Sequence, residues 1–258
     1  MRHVPTDTAQ DPVARWLSAL EQRHLADLRV PEVTRALRAL SSAYVERRGG
    51  LARGAPLDSA GKRAAFALYY APLHFFVVGR IVEALGAALP PPGAIVDIGC
   101  GTGAGGAAWA LAAGGRPKVI GLDRHPWAVD EARWTYRQFG LQGDARRGDA
   151  ARAVPLRRGD AMVAAYTLNE LTADGRAAVE RALLDAAAGG ARVLVVEPIA
   201  RGITPWWDAA VERFQRAGGR ADEWRFPADL PEQVARFGKA AGLNQRELTA
   251  RSLYCPGA

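Results

Sequence analysis

The segment 94–105, Ala-Ile-Val-Asp-Ile-Gly-Cys-Gly-Thr-Gly-Ala-Gly, constrains the fold of this chain more than any other. Its apolar run is typical of a buried strand and carries one acid, Asp97. Three alternating glycines follow: Gly99, Gly101 and Gly103. Because glycine allows sharp turns and close approach of a ligand, and because a helix start has free N–H groups, this pattern predicts a binding loop. With the helix-forming stretch after it, the segment predicts a strand–loop–helix unit for a nucleotide-like cofactor.

The rest of the chain divides into two parts. Residues 11–88 have apolar side chains at helical spacing, with a Gly- and Pro-rich break at 49–56. Pro72 lies inside the last of these helices and predicts a kink. The run Pro-Pro-Pro-Gly at 90–93 marks a boundary. We therefore predict an N-terminal helical lobe at 1–89 and a cofactor-binding domain at 90–258.

Strands and helices alternate after that boundary. Strands are predicted at 94–98, 118–122, 144–147, 160–166, 191–197 and 245–254, and helices at 104–113, 126–139, 173–187, 205–217 and 231–241. This alternation predicts an α/β fold of the Rossmann-like type, with a mostly parallel sheet and helices on both faces. One strand, rather than a pair, is expected at the C-terminal end of the sheet.

The composition of the chain limits its expected location, metal sites and partners. The N-terminus lacks an apolar secretory run, and the longest uncharged stretch, 64–79, is too short to span a membrane, so we expect a cytoplasmic protein without membrane association. Cys100 and Cys255 cannot form a four-thiolate centre, so no metal site is expected. The net charge of +7 is compatible with RNA, although arginine enrichment of the whole chain explains it equally well.

Two cofactors fit the glycine loop. Gly99, Gly101 and Ala104 match the loose dinucleotide pattern, and Asp123 stands where an acid binds ribose hydroxyls. Since an acid there serves either cofactor, Asp123 does not decide between NAD and S-adenosylmethionine.

Three features favour S-adenosylmethionine: the acid Asp97 within the strand, the third glycine Gly103, and a further acid, Asp149, after the third strand. With these residues the chain resembles the class I S-adenosylmethionine-dependent methyltransferases over roughly 94–200. The resemblance implies that Asp97 and the glycines Gly99, Gly101 and Gly103 hold the methionine end. It also implies that Asp123 binds the ribose and Asp149 the adenine.

Catalytic candidates follow the strand at 160–166. We predict Tyr166, Asn169 and Glu170 beside the reacting methyl group, with Asn169 orienting an acceptor amine or hydroxyl and Glu170 taking a proton. The alternative makes Asn169 or Thr172 a helix cap and Glu170 an acid of the first turn. The Asn/Asp-Pro-Pro-aromatic tetrapeptide of many nucleic-acid amino methyltransferases is absent.

Several short segments suggest a narrower family. Ala-Tyr-Thr-Leu-Asn-Glu-Leu at 165–171 and Val-Leu-Val-Val-Glu-Pro at 193–198 resemble the mitochondrial-type small-ribosomal-subunit methyltransferase-like family. That resemblance implies RNA or the small ribosomal subunit as a partner. The cysteine cluster of that family is replaced by Asp-Glu-Trp-Arg-Phe-Pro at 222–227, so no iron–sulfur site is carried over.

The sequence is therefore compatible with four functions: an RNA methyltransferase, a small-molecule methyltransferase, a non-catalytic ribosome assembly factor that binds S-adenosylmethionine, and an NAD-dependent enzyme. A contiguous arginine face near the pocket would favour RNA, and a closed aromatic cavity would favour a small acceptor. Among the aromatic residues, Phe66, Phe75 and Phe76 are predicted to pack, while Tyr70 and His74 are candidates for an acceptor pocket.

Overall fold

The computed structural model describes residues 11–46, 57–150, 154–200, 202, 204–243 and 245–257, so the predicted break at 49–56 lies outside the described residues. The helices are α1 Pro12–His24, α2 Val30–Glu46, α3 Ala60–Ala65, α4 Ala71–Ala84, α5 Ala104–Ala112, α6 Pro126–Gln138, α7 Ala173–Ala188, α8 Trp207–Arg216 and α9 Glu232–Ala241. The strands are β1 Ala94–Ile98, β2 Lys118–Asp123, β3 Gly143–Arg147, β4 Ala161–Ala165, β5 Arg192–Glu197, β6 Arg220–Pro227 and β7 Glu247–Cys255.

The seven strands form one sheet in the order β3-β2-β1-β4-β5-β7-β6. Strands β1 to β5 are parallel, and β7 is antiparallel to both of its neighbours. Between β1 and β4 the chain changes the direction in which it adds strands. Such a switch point opens a crevice at the carboxyl ends of the strands, where α/β proteins bind ligands. The predicted α/β fold is confirmed, and the ligand position at this edge stays a prediction.

Alternate residues of the central strands enter two different apolar layers, because successive side chains of a strand point to opposite faces. Ile95 of β1 belongs to the layer that includes the N-terminal helices, with Trp16 and Leu37. Val96 and Ile98 belong to the layer under α7 and α8. The N-terminal helices therefore form one face of the core, while the boundary predicted between residues 89 and 90 stays a prediction.

The helix predicted across Pro72 is continuous from Ala60 to Ala84, with a π-helical turn at Phe66–Tyr70 just before the proline. The Ala71 N–H bonds to the Phe66 carbonyl, the i to i−5 spacing of a π-helix. Because Pro72 has no N–H to donate, the helix adjusts here with a π turn instead of a break. The turn places Phe66 and Tyr70 towards the crevice, as described below.

By length and composition this helix could cross a membrane, since its 25 residues exceed the uncharged stretch recognised in the sequence. In its most apolar window 67% of the residues are buried inside the protein. Trp109 and Phe139, for example, belong to the same apolar layer as this helix. Such burial is typical of a helix that packs in the core of a protein.

The expectation of a single C-terminal strand is wrong. Strand β6 runs antiparallel along β7 from Arg220 to Pro227, so the sheet ends in an antiparallel pair. The charged residues of β6 gave no apolar run from which a strand could be predicted, because an edge strand is only half buried and needs no such run. The available signal was the alternation that places Trp224 and Phe226 on one face, where their rings stack at 5.8 Å.

Candidate cofactor and acceptor site

A cavity of about 720 Å³ lies at the carboxyl edge of the sheet, beneath the π-helical turn and α4. Its lining runs from Gly148, after β3, to Glu247, at the start of β7. These strands are five spacings apart in the sheet, which corresponds to roughly 24 Å. The cavity therefore extends beyond β1 and β2, where the cofactor residues were predicted, to the strands β5 and β7.

The glycine loop forms one wall of this cavity. Gly99 and Gly101 line it and have positive φ angles of 63° and 51°, which the left-handed region allows to glycine. Gly103 has a φ of 79° but is not among the lining residues. A Cβ there would come within 2.7 Å of Tyr136 Cε1, so this glycine allows α5 to begin close to α6. Two of the three predicted glycines thus reach the cavity.

Asp97 is buried at the end of β1 and lines the cavity. Its Oδ2 accepts a hydrogen bond of 2.7 Å from the Gly106 N–H, in the first turn of α5. Burial raises the pKa of Asp97 to about 7; the Gly106 bond opposes this rise, and repulsion from Asp123 adds to it. A nearby cation, such as the sulfonium or ammonium of S-adenosylmethionine, would favour the ionised carboxylate.

Asp123 ends β2 and supports the loop directly. Its Oδ2 accepts from the Gly101 N–H at 2.9 Å and its Oδ1 from the His125 N–H at 2.8 Å. Each carboxylate oxygen has a further lone pair, and Asp123 lines the cavity, so it can also accept from a ligand hydroxyl. This geometry fits the predicted ribose contact.

Asp149 is exposed in the loop after β3 and is not a lining residue, whereas its neighbours Gly148 and Ala150 are. Its adenine role stays a prediction. Thr102, which was not singled out in the sequence, lines the cavity, and its buried Oγ1 has no hydrogen-bond partner. Trp127, at the start of α6, is not among the lining residues and packs against the first apolar layer.

The loop after β4 lines the cavity and contacts α4. Tyr166 has a φ of 56°, rare for a residue with a side chain, and its N–H donates to the Val196 carbonyl at 2.7 Å. Its ring stacks on His74 with centroids 4.0 Å apart and planes within 15°. Burial lowers the pKa of His74 to about 3, so this imidazole is neutral at pH 7. The strained backbone thus places Tyr166 against α4.

Asn169 and Glu170 follow in a single 3-10 turn, Leu168–Glu170, and both line the cavity. Glu170 is exposed by its accessible surface, although many protein atoms lie around its carboxyl and desolvate it. This desolvation raises the pKa of the Glu170 carboxyl to about 7, and repulsion from Asp123 contributes further. A carboxylate with that pKa is suited to exchanging protons at neutral pH. The cap of α7 is Thr172, which accepts from the Gly175 N–H, so Asn169 and Glu170 precede the helix.

Glu197 holds the turn Leu168–Glu170 through hydrogen bonds to its backbone, a role that the sequence did not predict. It is fully buried at the end of β5, and its Oε1 accepts from the Leu168 N–H at 2.8 Å and the Asn169 N–H at 3.3 Å. Burial raises the pKa of Glu197 to about 8, the two backbone bonds oppose the rise, and repulsion from Glu170 adds to it. An acid that ends a buried strand was the available signal.

The aromatic residues divide largely as predicted. Tyr70 and His74 line the cavity, together with Phe66, which was expected to pack only. Phe75 stacks on Phe139 at 5.3 Å and Phe76 packs against the core, so both are packing residues. Trp206 and Trp207 pack in the second apolar layer. No group of three or more His, Cys, Asp or Glu that could hold a metal ion occurs among the described residues.

Comparisons with known proteins agree with this fold. Residues 95–190 match the family model described as "Methyltransferase domain". The mitomycin 7-O-methyltransferase MmcR is 17% identical with a TM-score of 0.50, over 96% of this chain and 73% of that one. The pyocyanin biosynthetic protein PhzM is 20% identical with a TM-score of 0.50, over 81% and 60%.

Magnesium protoporphyrin IX methyltransferase from Synechocystis PCC 6803, solved with bound S-adenosylmethionine, is 15% identical with a TM-score of 0.47, over 86% and 96%. No curated protein sequence matches the chain significantly. MmcR and PhzM share the fold, and the family model covers the glycine loop, Asp97, Asp123 and Glu170. Residues 95–190 therefore match a methyltransferase domain, and the matched range includes the glycine loop with Asp97 and Asp123.

Proposed function

We propose that this protein transfers the methyl group of S-adenosylmethionine to a small molecule bound between the β4 loop, β7 and α4. The observation that carries the proposal is the extent of the cavity. It continues past the glycine loop and Asp123 to Glu247, Leu248 and Thr249 of β7. Phe66 and Tyr70 of the helix above also line the cavity, and the Phe66 ring lies next to Gly101 of the glycine loop.

The cofactor end is supplied by the loop and its acids. Gly99 and Gly101 let the donor approach the backbone, while Asp97 and Asp123 offer carboxylates to its charged end and its ribose hydroxyls. S-adenosylmethionine supplies an electrophilic methyl group on a positively charged sulfur. Because methyl transfer is an in-line displacement, the main task of the protein is to position the acceptor.

The acceptor end contains the proton-transfer group. Glu170 accepts a proton from the attacking atom, and its pKa of about 7 leaves a substantial carboxylate fraction at neutral pH. Asn169 lines the cavity next to it and is held in place through its backbone by Glu197. Tyr166 and the neutral His74, stacked on each other, form the adjoining wall.

The distribution of arginines supports a small acceptor over RNA. Arg146 and Arg147 lie at the carboxyl end of β3, while Arg157 and Arg158 precede β4 at the opposite edge. Seven arginines of the described residues form ion pairs with carboxylates: Arg23, Arg133, Arg213, Arg216, Arg220, Arg225 and Arg236. RNA binding requires unpaired cations on one face. RNA or ribosomal-subunit binding therefore stays a prediction with less support.

The test combines binding and turnover. Calorimetry with S-adenosylhomocysteine measures cofactor binding, and a radiolabelled methyl-transfer assay on fractionated lysate shows whether label enters small molecules, RNA or protein. We expect cofactor binding and label in the small-molecule fraction, reduced at least about tenfold by Glu170→Gln. The matched control is Asp174→Asn, an exposed acid in the first turn of α7. Folded protein that does not bind the cofactor, or label confined to RNA, would contradict the proposal.

A further inference from the structure

We propose that the acceptor is an amine, bound as its ammonium by Glu170 and the aromatic side chains of the cavity. This inference rests on the proposed function, because it concerns the acceptor half of the same cavity. It follows from the charges of the cavity lining, from the Glu170 carboxylate and from the aromatic side chains that line the same cavity.

The cavity is acidic in a basic protein. The chain carries 34 Lys and Arg against 27 Asp and Glu, so a lining drawn at random would be slightly basic. Among the described residues that line the cavity, four are carboxylates, Asp97, Asp123, Glu170 and Glu247, and only Arg124 is a lysine or arginine. Arg124 follows Asp123 at the cofactor end. A phosphate or carboxylate on the acceptor would therefore meet no cation among the described residues of the other half.

Glu170 is the carboxylate available to an acceptor. Asp97 and Asp123 accept from backbone N–H groups of the glycine loop and α5. Glu247 pairs with Arg225 at 3.3 Å. Glu170 forms no ion pair within the described part of the chain, and its side chain faces the cavity. An ammonium is the ligand that would satisfy it, through a charge-assisted hydrogen bond.

Aromatic side chains that line the same cavity as Glu170 suit a cation as well. Phe66, Tyr70, His74 and Tyr166 form one contiguous group, with ring centroids 4.0 to 6.3 Å apart, and all four line the cavity. Aromatic faces attract ammonium groups, most strongly where water is excluded. His74 adds no competing positive charge, because its imidazole is neutral at pH 7. Carboxylate and aromatic faces together select an amine over an anion.

The reaction then balances as follows. The bound ammonium gives one proton to the Glu170 carboxylate and becomes a free amine. The nitrogen lone pair forms the new N–CH₃ bond while the C–S bond breaks and its electron pair stays on sulfur. The products are S-adenosylhomocysteine and a methylated ammonium, and Glu170 releases its proton to water. Positive charge passes from sulfur to nitrogen, so no further reactant is needed.

The experiment uses three probes of similar size: 2-phenylethylamine, 2-phenylethanol and phenylacetate. Each is titrated by calorimetry into the full chain saturated with S-adenosylhomocysteine, using wild type, Glu170→Gln and Asp174→Asn. We expect the amine to bind at least about tenfold more tightly than the alcohol, and phenylacetate most weakly. Glu170→Gln should remove the preference of amine over alcohol, and Asp174→Asn should keep it.

Binding of S-adenosylhomocysteine, measured first in each variant, separates this inference from the proposed function. If the cofactor binds but phenylacetate binds as tightly as the amine, the amine inference is overturned and methyl transfer to another small molecule remains. The same holds if the amine and alcohol bind equally, or if none of the probes binds. Loss of cofactor binding in the wild type would instead overturn the proposed function.

Discussion

Removing the Glu197 carboxyl tests how the turn Leu168–Glu170 is held. Its Oε1 is the acceptor for two backbone N–H groups, at 2.8 Å from Leu168 and 3.3 Å from Asn169. Glu197→Ala leaves both donors without a partner in a buried site. Each unsatisfied buried donor costs about 1–3 kcal/mol, and the longer bond belongs at the low end of that range. We therefore expect the free energy of unfolding to fall by about 2–4 kcal/mol.

Glu197→Gln separates the hydrogen bonds from the charge. The amide keeps an acceptor oxygen at the same position, so at pH 5, before most of the pH-dependent loss of the wild type, the loss in Glu197→Gln should stay within about 1 kcal/mol. The pKa of Glu197 is raised from 4.5 to about 8 in the folded protein. A raised pKa means that the folded state retains a proton that the unfolded state has released. The contribution of the Glu197 carboxyl to the free energy of unfolding is therefore fully present below pH 4.5 and is lost as the pH rises through 8.

The two variants are measured by urea denaturation between pH 5 and 9, together with kcat and KM for methyl transfer. Wild type should lose stability relative to Glu197→Gln as the pH rises, because only the carboxyl titrates. Glu197→Ala should lower kcat about tenfold to a hundredfold, since the turn that carries Asn169 and Glu170 would shift. The anchoring role is refuted if Glu197→Ala costs less than about 1 kcal/mol and leaves kcat unchanged.

Three further predictions concern the framework. Gly99→Ala should weaken S-adenosylhomocysteine binding at least about tenfold by calorimetry, because its Cβ would collide with Thr167 and φ is positive; unchanged affinity would contradict the assigned loop conformation. Gly79→Ala should raise the free energy of unfolding by about 0.5–1 kcal/mol, since it lies inside α4 with no contact closer than 3.9 Å. Glu131→Gln should lower it by about 1–3 kcal/mol in the same assay, because the buried carboxylate holds Arg23 of α1; no loss would show that this pair is unimportant.

Local patterns in the sequence predicted most of the fold. The acid and glycines at 97–103 required a strand, a turn and a helix in immediate succession, and β1 and α5 occur there within one residue of prediction. The carboxyl edge of the parallel sheet follows from the alternation of strands and helices. Strand β6 was missed because an edge strand is recognised by its partner β7, which lies about 25 residues later in the chain.

The candidate site was predictable only where its residues are adjacent in sequence. Gly103 fits the glycine pattern as well as Gly99 does, but contact with Tyr136 of α6 gives it a packing role. Glu197 carried no local signal that joined it to Leu168 and Asn169, which lie about 28 residues earlier in the chain.

The sequence by itself determined the methyl-donor loop, because backbone turns and helix starts depend on neighbouring residues. Only the tertiary structure decided which side chains surround the acceptor, since α4, β7 and the β4 loop meet through packing between segments 74 or more residues apart. Desolvation in the cavity they form raises the pKa of Glu170 to about 7. The loop thus identifies the methyl donor, and the packing of distant segments supports an amine as the acceptor.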